Sequence, residues 1–516
     1  MDEQGETVAF LSLGASYGLP AATVEQIVTH CSRVFLVGER AYKLKRAVRL
    51  SYLDYSTLAL RERFCRAELA VNRRTAPDIY LRLRRVTRNA EGGLALDGEG
   101  ATVDWLLEMR RFREEDLFDR MAAAQRLTPA LMRDLADAIA AFHRDAEIAP
   151  KHGGGTALAR TLAINHDNLV LASPPLDRDA IDRLRAASAA HLAAVRALLD
   201  ARRQAGKVRR CHGDLHLRNI CLYEGRPTLF DGIEFSDDFA CIDVLYDLAF
   251  LLMDLTQRGL DEHANLVFNR YLDRSGEGDG LPALPLFLSA RAAVRAHVLG
   301  ALVRTGTPQQ AAEAAASAQA YLALALTLLE PHRPRLVALG GLSGTGKSTV
   351  AQALAVAFPP APGARLLRSD VLRKRLAGVA PETALPRESY SLAAAQRVYA
   401  ALGEEAAATL AAGYSAVVDA TFLRQEERRA IEALAQAAGV AFTGLWLDAP
   451  REVLARRIAA RRGDASDADL AVLDWQLGLD PGAVFWRRVD AAGGLAETVA
   501  AARALSATTA PAPSSS

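Results

Sequence analysis

Cysteine is scarce in this 516-residue chain. The five residues Cys31, Cys65, Cys211, Cys221 and Cys241 are odd in number and form no C-x-x-C pair. They read as reduced, mostly buried thiols, which predicts a cytoplasmic protein. A surplus of one sign of charge is also missing. With 62 basic and 61 acidic residues the net charge is +1, so the composition offers no global electrostatic basis for nucleic acid or an anionic membrane as partner. No uninterrupted apolar run reaches about 18 residues, and no membrane span is expected. The start, MDEQGE, is acidic and lacks the basic region of a signal peptide. What is present is 50% hydrophobic and 24% charged residues, the balance of a soluble globular protein. The length exceeds one ordinary core and predicts two or three domains.

The most informative stretch is 335–349, RLVALGGLSGTGKST. An apolar strand pattern (Leu336, Val337, Ala338, Leu339) turns through glycines into an Ala-rich helical segment. Gly341, Gly346, Lys347 and Ser348 match G-x-x-x-x-G-K-[ST] at every fixed position. Glycines let backbone N–H groups close around phosphate oxygens, and the helix N-terminus adds positive potential. Lys347 is expected to reach the β- and γ-phosphates of ATP, and Ser348 to hold Mg²⁺. Ser343, Gly344, Thr345 and Thr349 complete the expected nucleotide loop. Such a loop follows the first strand of its domain, so the residues upstream need a separate account.

After a stretch at 7–30 that reads as a helical preface, the chain turns to strands. Residues 34–37 and 41–45, joined at Gly38-Glu39-Arg40, read as a β-hairpin. Lys43 and Lys45 sit two apart and share a strand face, although solvated edge charges give the same pattern. A helix over 56–74 carries Glu68, and strands follow at 80–86, 94–96 and 103–109. Helical patterns then dominate, clearest at 131–143, 177–205 and 309–329. Within them CHGDLHLRN at 211–219 is followed by a strand pair at 220–223 and 227–230 and then by Asp231-Gly-Ile-Glu-Phe.

The order of Asp214, Asn219 and Asp231, behind a small strand-rich lobe with a lysine and a helix glutamate, resembles the catalytic and metal-binding loops of the kinase fold. The His-Gly-Asp-Leu-His form, with Asp243 and Asp247 downstream, is similar to the aminoglycoside phosphotransferase family. The resemblance implies that Asp214 is the catalytic base, that Asn219 and Asp231 are Mg²⁺ ligands, and that Asp247 braces the loop. It matches Lys45 best to the ATP-phosphate lysine, with Lys43 a close second and Glu68 as the ion-pair partner. The first hairpin has no G-x-G-x-x-G, which speaks against a protein kinase.

Beyond the phosphate loop, strands are expected at 365–370, ending in Asp370, at 416–421, where Asp419 stands in the position of a Walker-B carboxylate, and at 440–447. Asp370 is the candidate base of the second site, with helix N-capping as its competing role. The helix at 451–462 carries Arg457 and Arg461, read either as a phosphate-clamping lid or as a solvated face. This half resembles the small P-loop kinases. Together the two halves resemble bifunctional proteins that join an aminoglycoside-phosphotransferase-like domain to an ATP-binding P-loop domain. The implied architecture is an α+β kinase-like domain over 1–333, its small lobe ending near 112. An α/β P-loop domain with a doubly wound parallel sheet follows over 334–506, then a low-complexity tail over 507–516. The implied activity is transfer of γ-phosphoryl groups from ATP·Mg²⁺ to small hydroxylated acceptors. A regulatory ATPase and a nucleic-acid end kinase remain as alternatives. The break at 332–335 predicts halves that fold separately.

Overall fold

The computed structural model describes residues 4–50, 53–304, 307–460 and 465–507. The expected tail lies outside them except for Ala507, as does Arg461. The chain divides into two compact units, Met1–Thr161 with Arg196–Asp254, and Leu162–Val195 with Leu255–Ser516. Among the described residues no helix is long and apolar enough to cross a membrane.

The first unit opens on a six-stranded antiparallel sheet in the order β1-β2-β3-β6-β4-β5. Its strands are β1 (Glu25–Val28), β2 (Ser32–Val37), β3 (Arg40–Lys45), β4 (Tyr80–Arg88), β5 (Leu94–Leu96) and β6 (Ala101–Arg110). The helical preface expected at 7–30 is only partly helical. A helix at Gly5–Leu11 and a 3₁₀ turn at Gly14–Tyr17 give way to β1, whose four residues are all exposed. β1 has no buried face to impose an alternating pattern, and is held by backbone pairing to β2. In β3 the period of two separates two buried sets. Tyr42 and Leu44 join Leu11, Phe35, Val37, Val86 and Leu106 in one core. Lys43 and Lys45 point to the opposite face, where the helix Leu58–Asn72 presents the buried Glu68. That helix starts where Thr57 accepts a cap bond from the Leu60 N–H. Further along come β7 (Val208–Arg210), β8 (Ile220–Tyr223), β9 (Arg226–Leu229) and β10 (Cys241–Asp243), as antiparallel pairs β8-β9 and β7-β10.

The second unit contains a five-stranded parallel sheet, ordered β12-β13-β11-β14-β15. The strands are β11 (Arg335–Gly340), β12 (Arg365–Arg368), β13 (Ala416–Asp419), β14 (Ala441–Asp448) and β15 (Arg487–Asp490). β11 is buried on both faces, with Leu336 and Ala338 in one apolar cluster and Val337 and Leu339 in the other. A doubly wound sheet requires this, and it explains the uninterrupted apolar run in the sequence. β12 ends at Arg368, so Ser369 and Asp370 belong to the first turn of the helix Ser369–Leu376 rather than to a strand. The sequence Arg487-Arg-Val-Asp490 has one buried residue in four, and for that reason β15 carries no strand signal.

β12 lies at the sheet's edge, and one side of it bonds β13. The other side is finished by side-chain amides from the helix Asp261–Ser275. Asn269 Oδ1 accepts from the Leu366 N–H at 2.7 Å, and Asn269 Nδ2 donates to the Ala364 carbonyl at 3.2 Å. Asn265 Nδ2 donates to the Pro362 and Ala364 carbonyls, each at 3.0 Å. The buried Arg365 guanidinium bonds Asn269 Oδ1 at 3.0 Å and pairs with Asp273. These contacts tie residues on both sides of the 332–335 break, so the separate folding expected from that break does not match the packing. Buried backbone groups at a sheet edge need partners. Accordingly Asn269→Ala should lower the stability of the full chain by about 1–3 kcal/mol in urea unfolding. An unchanged urea midpoint in Asn269→Ala would contradict this assignment.

Candidate active sites

In the first unit two lysines and one glutamate form a buried ionic cluster. Lys43 Nζ lies 2.7 Å from Glu68 Oε1 and 2.6 Å from Asp231 Oδ1. Lys45 Nζ lies 2.6 Å from Glu68 Oε2 and 2.5 Å from Glu234 Oε1, and the Tyr55 hydroxyl donates to the same Glu234 oxygen at 2.7 Å. Burial by itself would raise the pKa of Glu68, but Lys43 and Lys45 outweigh it and hold the group at about 2. Lys43 is partly open to the cleft, with 15% of its side chain exposed, whereas Lys45 at 2% is sealed.

The loop 211–219 leaves β7 and is fixed from below. Asp247 is fully buried and accepts from the His212 N–H at 3.0 Å and the Gly213 N–H at 2.8 Å. His143 Nε2 lies 3.1 Å from its Oδ2. Gly213 has φ +84°, and a Cβ there would stand 2.9 Å from the Phe239 carbonyl, so the turn needs glycine. Asn219 Nδ2 donates to the Asp214 carbonyl and to Asp214 Oδ2, each at 2.9 Å. This directs the Asn219 amide oxygen away from Asp214. The β8-β9 register pairs Ile220 with Leu229, and the Phe230 N–H donates to the Asn219 carbonyl at 3.0 Å. The hairpin thereby returns Asp231 beside Asn219. Asp231 takes φ +60°, a conformation that non-glycine residues hold only when their surroundings enforce it. Here its N–H donates to the Tyr80 hydroxyl at 3.1 Å, and the Gly232 N–H donates to Asn72 Oδ1 at 2.8 Å.

In the second unit the phosphate loop follows β11 at the sheet's switch point. Gly341 has φ +131°, and a Cβ there would stand 2.3 Å from the Leu447 carbonyl. Lys347 Nζ donates to the carbonyls of Gly341 (2.9 Å) and Leu342 (2.8 Å). The Ser348 hydroxyl donates to Asp419 Oδ2 at 2.6 Å, and Arg368 reaches both, at 3.1 Å from Ser348 Oγ and 3.5 Å from Asp419 Oδ2. Thr345 Oγ1 donates to the Leu342 carbonyl at 2.9 Å, the Ser343 N–H to Gln476 Oε1 at 2.9 Å, and Thr349 is exposed. Gly344 and Gly346 take φ +88° and +86°. Asp370 is partly buried. Burial raises its pKa, with Asp419 adding to the rise, while Arg368, a bond with Ser466 and Lys347 oppose it. The helix's N-cap position is Arg368, so Asp370 is not the cap. Arg457 donates to the carbonyls of Ala491 (2.8 Å), Gly493 (3.1 Å) and Thr345 (3.5 Å), which makes it a tie between two turns.

Residues 64–287 match the Phosphotransferase enzyme family, and residues 336–479 match an AAA domain. An uncharacterized protein of Mycobacterium tuberculosis is 30% identical over 484 residues, covering 90% of this chain and 92% of its own. The chain belongs to the family that joins a phosphotransferase domain to a P-loop kinase-like domain. Its function is accordingly kinase-like and ATP-dependent, with small molecules as acceptors. Among solved structures it is similar to the choline kinase from Cryptosporidium parvum (10% identity, TM-score 0.39, 62% of this chain and 93% of that one). It is also similar to a gluconokinase from Sinorhizobium meliloti (27% identity, TM-score 0.24, 34% and 95%).

Several residues at these sites were not expected from sequence. Glu234, Tyr55, Asn72 and Tyr80 shape the first site, and Arg368 and Gln476 the second. Glu234, three residues beyond Asp231, had a local signal, whereas Gln476 has none because it lies 133 residues from its partner Ser343. The Glu68 cluster generates a stability test. Removal of the Glu68 charge leaves each lysine with one carboxylate, Asp231 or Glu234, but takes away the charged hydrogen bonds that join helix to strand, so Glu68→Gln should destabilise the first unit by about 1–3 kcal/mol at neutral pH. Glu62→Gln, which loses only the exposed pair with Arg66, should cost less than about 1 kcal/mol. The folded-state pKa of Glu68 is depressed, so its contribution is present above the ordinary value of 4.5 and is lost as pH falls toward 2. Urea midpoints of the two variants across that range should converge. Equal midpoints at neutral pH would remove Glu68 from its central role.

Proposed function

We propose that the protein carries two phosphoryl-transfer sites, each using one aspartate to take the proton of a small acceptor's hydroxyl. The observation that carries this reading is Lys43, held at once by Glu68 and Asp231 at 2.7 and 2.6 Å. A lysine so placed joins the strand, the helix and the metal-binding loop of a kinase cleft into one assembled site. Lys43 rather than Lys45 is the phosphate-binding residue in this reading, because Lys45 is sealed beneath Glu68 and Glu234.

The donor sets fit Mg²⁺, a hard cation that takes oxygen ligands. In the first unit these are the Asp231 carboxylate and the Asn219 amide oxygen. In the second they are the Ser348 hydroxyl and the Asp419 carboxylate, already 2.6 Å apart. Bound ATP·Mg²⁺ supplies the γ-phosphoryl group and neutralises part of its charge. Asp214, its carboxylate held by Asn219 and beside His216 at 3.4 Å, accepts the hydroxyl proton in the first site. Asp370 does so in the second. Lys347 steadies the transferring charge once it exchanges its loop carbonyls for phosphate oxygens.

The test is a transfer assay with labelled ATP over sugars, aminoglycosides, nucleosides and amino alcohols, using the full chain. Asp214→Asn should lower transfer at the first site by about 10²–10⁴ while sparing ATP binding. Asp370→Asn should do the same at the second site, and Lys347→Ala should abolish ATP binding there. Transfer at the second site should rise with pH, because the base acts ionised, along a limb displaced above the ordinary aspartate value of 3.8 by burial. Wild-type transfer rates in Asp214→Asn and Asp370→Asn would overturn the reading. Hydrolysis of ATP that depends on Lys347 with no acceptor phosphorylated would favour a regulatory ATPase for the second half.

A further inference from the structure

The helix Leu58–Asn72 has a second face. Arg61, Cys65, Glu68 and Asn72 are buried, whereas Arg63, Ala67 and Ala70 follow one another at helical spacing along the other side, with Arg74 two residues past the helix's end. That side lines an open cavity of about 510 Å³, bounded opposite by Arg210, Phe235 and Asp237. The volume lies in the range of small-molecule sites, roughly 300–1,000 Å³. Its chemistry is uneven. Phe64, Ala67, Ala70, Val71 and Phe235 give it apolar walls, and three guanidinium groups reach it.

Of the three, Arg210 is paired with Asp237 at 2.7 Å. Arg63 lies over the Phe64 ring at 5.4 Å, and Arg74 donates to the carbonyls of Val71, Arg210 and Cys211 and stacks on Phe142. Among the described residues neither has a carboxylate at ion-pair distance. Arg74 stands exposed at the cavity's rim, and partial burial of its guanidinium lowers its pKa, a shift that a bound anion would oppose. The other acid on the wall, Glu234, is already committed to Lys45 and Tyr55.

We propose that this cavity is a binding site, separate from the nucleotide cleft, for a small ligand that carries an oxyanion on an apolar or aromatic body. The oxyanion is a phosphate or a carboxylate, set between Arg63 and Arg74, and the body lies on Phe64 and the two alanines. The position gives the site a consequence for the cleft. Glu234 lines the cavity and holds Lys45, Lys45 holds Glu68, and Glu68 holds Lys43 against Asp231. A ligand bridging the helix to the segment around Phe235 therefore stabilises the arrangement that receives ATP, and by linkage ATP tightens the ligand equally.

Calorimetric titration of the full chain with phenyl phosphate tests this, with Mg²⁺ and a non-hydrolysable ATP analogue saturating both nucleotide sites. Phenyl phosphate should bind saturably and more tightly than phenol or inorganic phosphate, with benzoate separating carboxylate from phosphate preference. Arg63→Ala, which removes one cation, and Ala70→Trp, which fills the cavity, should each weaken binding by about ten-fold. Both should keep the wild-type affinity for the ATP analogue, which shows that they are folded. Phenyl phosphate should in turn tighten analogue binding in the wild type and not in Ala70→Trp. No saturable binding to the wild type, phenol binding as tightly as phenyl phosphate, or undiminished binding in both variants would overturn the proposal.

Discussion

The first unit depends on one carboxylate shared by two ammonium groups. Glu68 is 1% exposed, and each of its oxygens meets a different lysine of the same strand. Removing such a cluster from water is costly, and only good geometry with full pairing offsets the desolvation. The surrounding residues provide that pairing. Asp231 and Glu234 complete the charges, Tyr55 adds a hydrogen bond, and Asn72 ties the next turn of the helix to Gly232. The sheet, the helix and the loop after β9 are thus held by one electrostatic constraint. The same constraint leaves Lys43 at the cleft and seals Lys45 below it.

The second unit solves its problem differently, with backbone geometry that places the buried Lys347 and Asp419. Its phosphate loop needs glycine where a Cβ would collide with carbonyls of neighbouring segments, and its strands converge so that Ser348, Asp419 and Arg368 meet at the sheet's C-terminal end. Asp370 reaches the same place from the first turn of a helix, not from a strand end. Its carboxylate is therefore fixed by the helix axis, and rotation of that helix would move it.

Legibility from sequence followed the range of the interaction. The phosphate loop is contiguous, so its glycines, Lys347 and Ser348 can be read directly, and the central strands of both sheets follow from their apolar patterns. The loop around Asp214 is nearly as local. Period-two spacing placed Lys43 and Lys45 on one face, yet Lys45 lies deeper, covered by Tyr55 and by Glu234 from 189 residues away. Short strands such as β1 and β15 escaped because they bury almost no side chains. Asn265 and Asn269 read as ordinary polar helix residues, since nothing local signals that their amides complete a strand.

That use of side-chain amides in place of a sixth strand has an evolutionary consequence. A parallel sheet capped by another backbone can be cut out and recombined wherever a new edge is supplied. A sheet whose edge is finished by two asparagines and an aspartate on a helix encoded upstream cannot. In the lineage of this chain, separation of the two coding segments at the apparent linker would expose β12 and remove the partners of Arg365 in one event. A cut at that point therefore leaves the outer edge of β12 open until other residues close it.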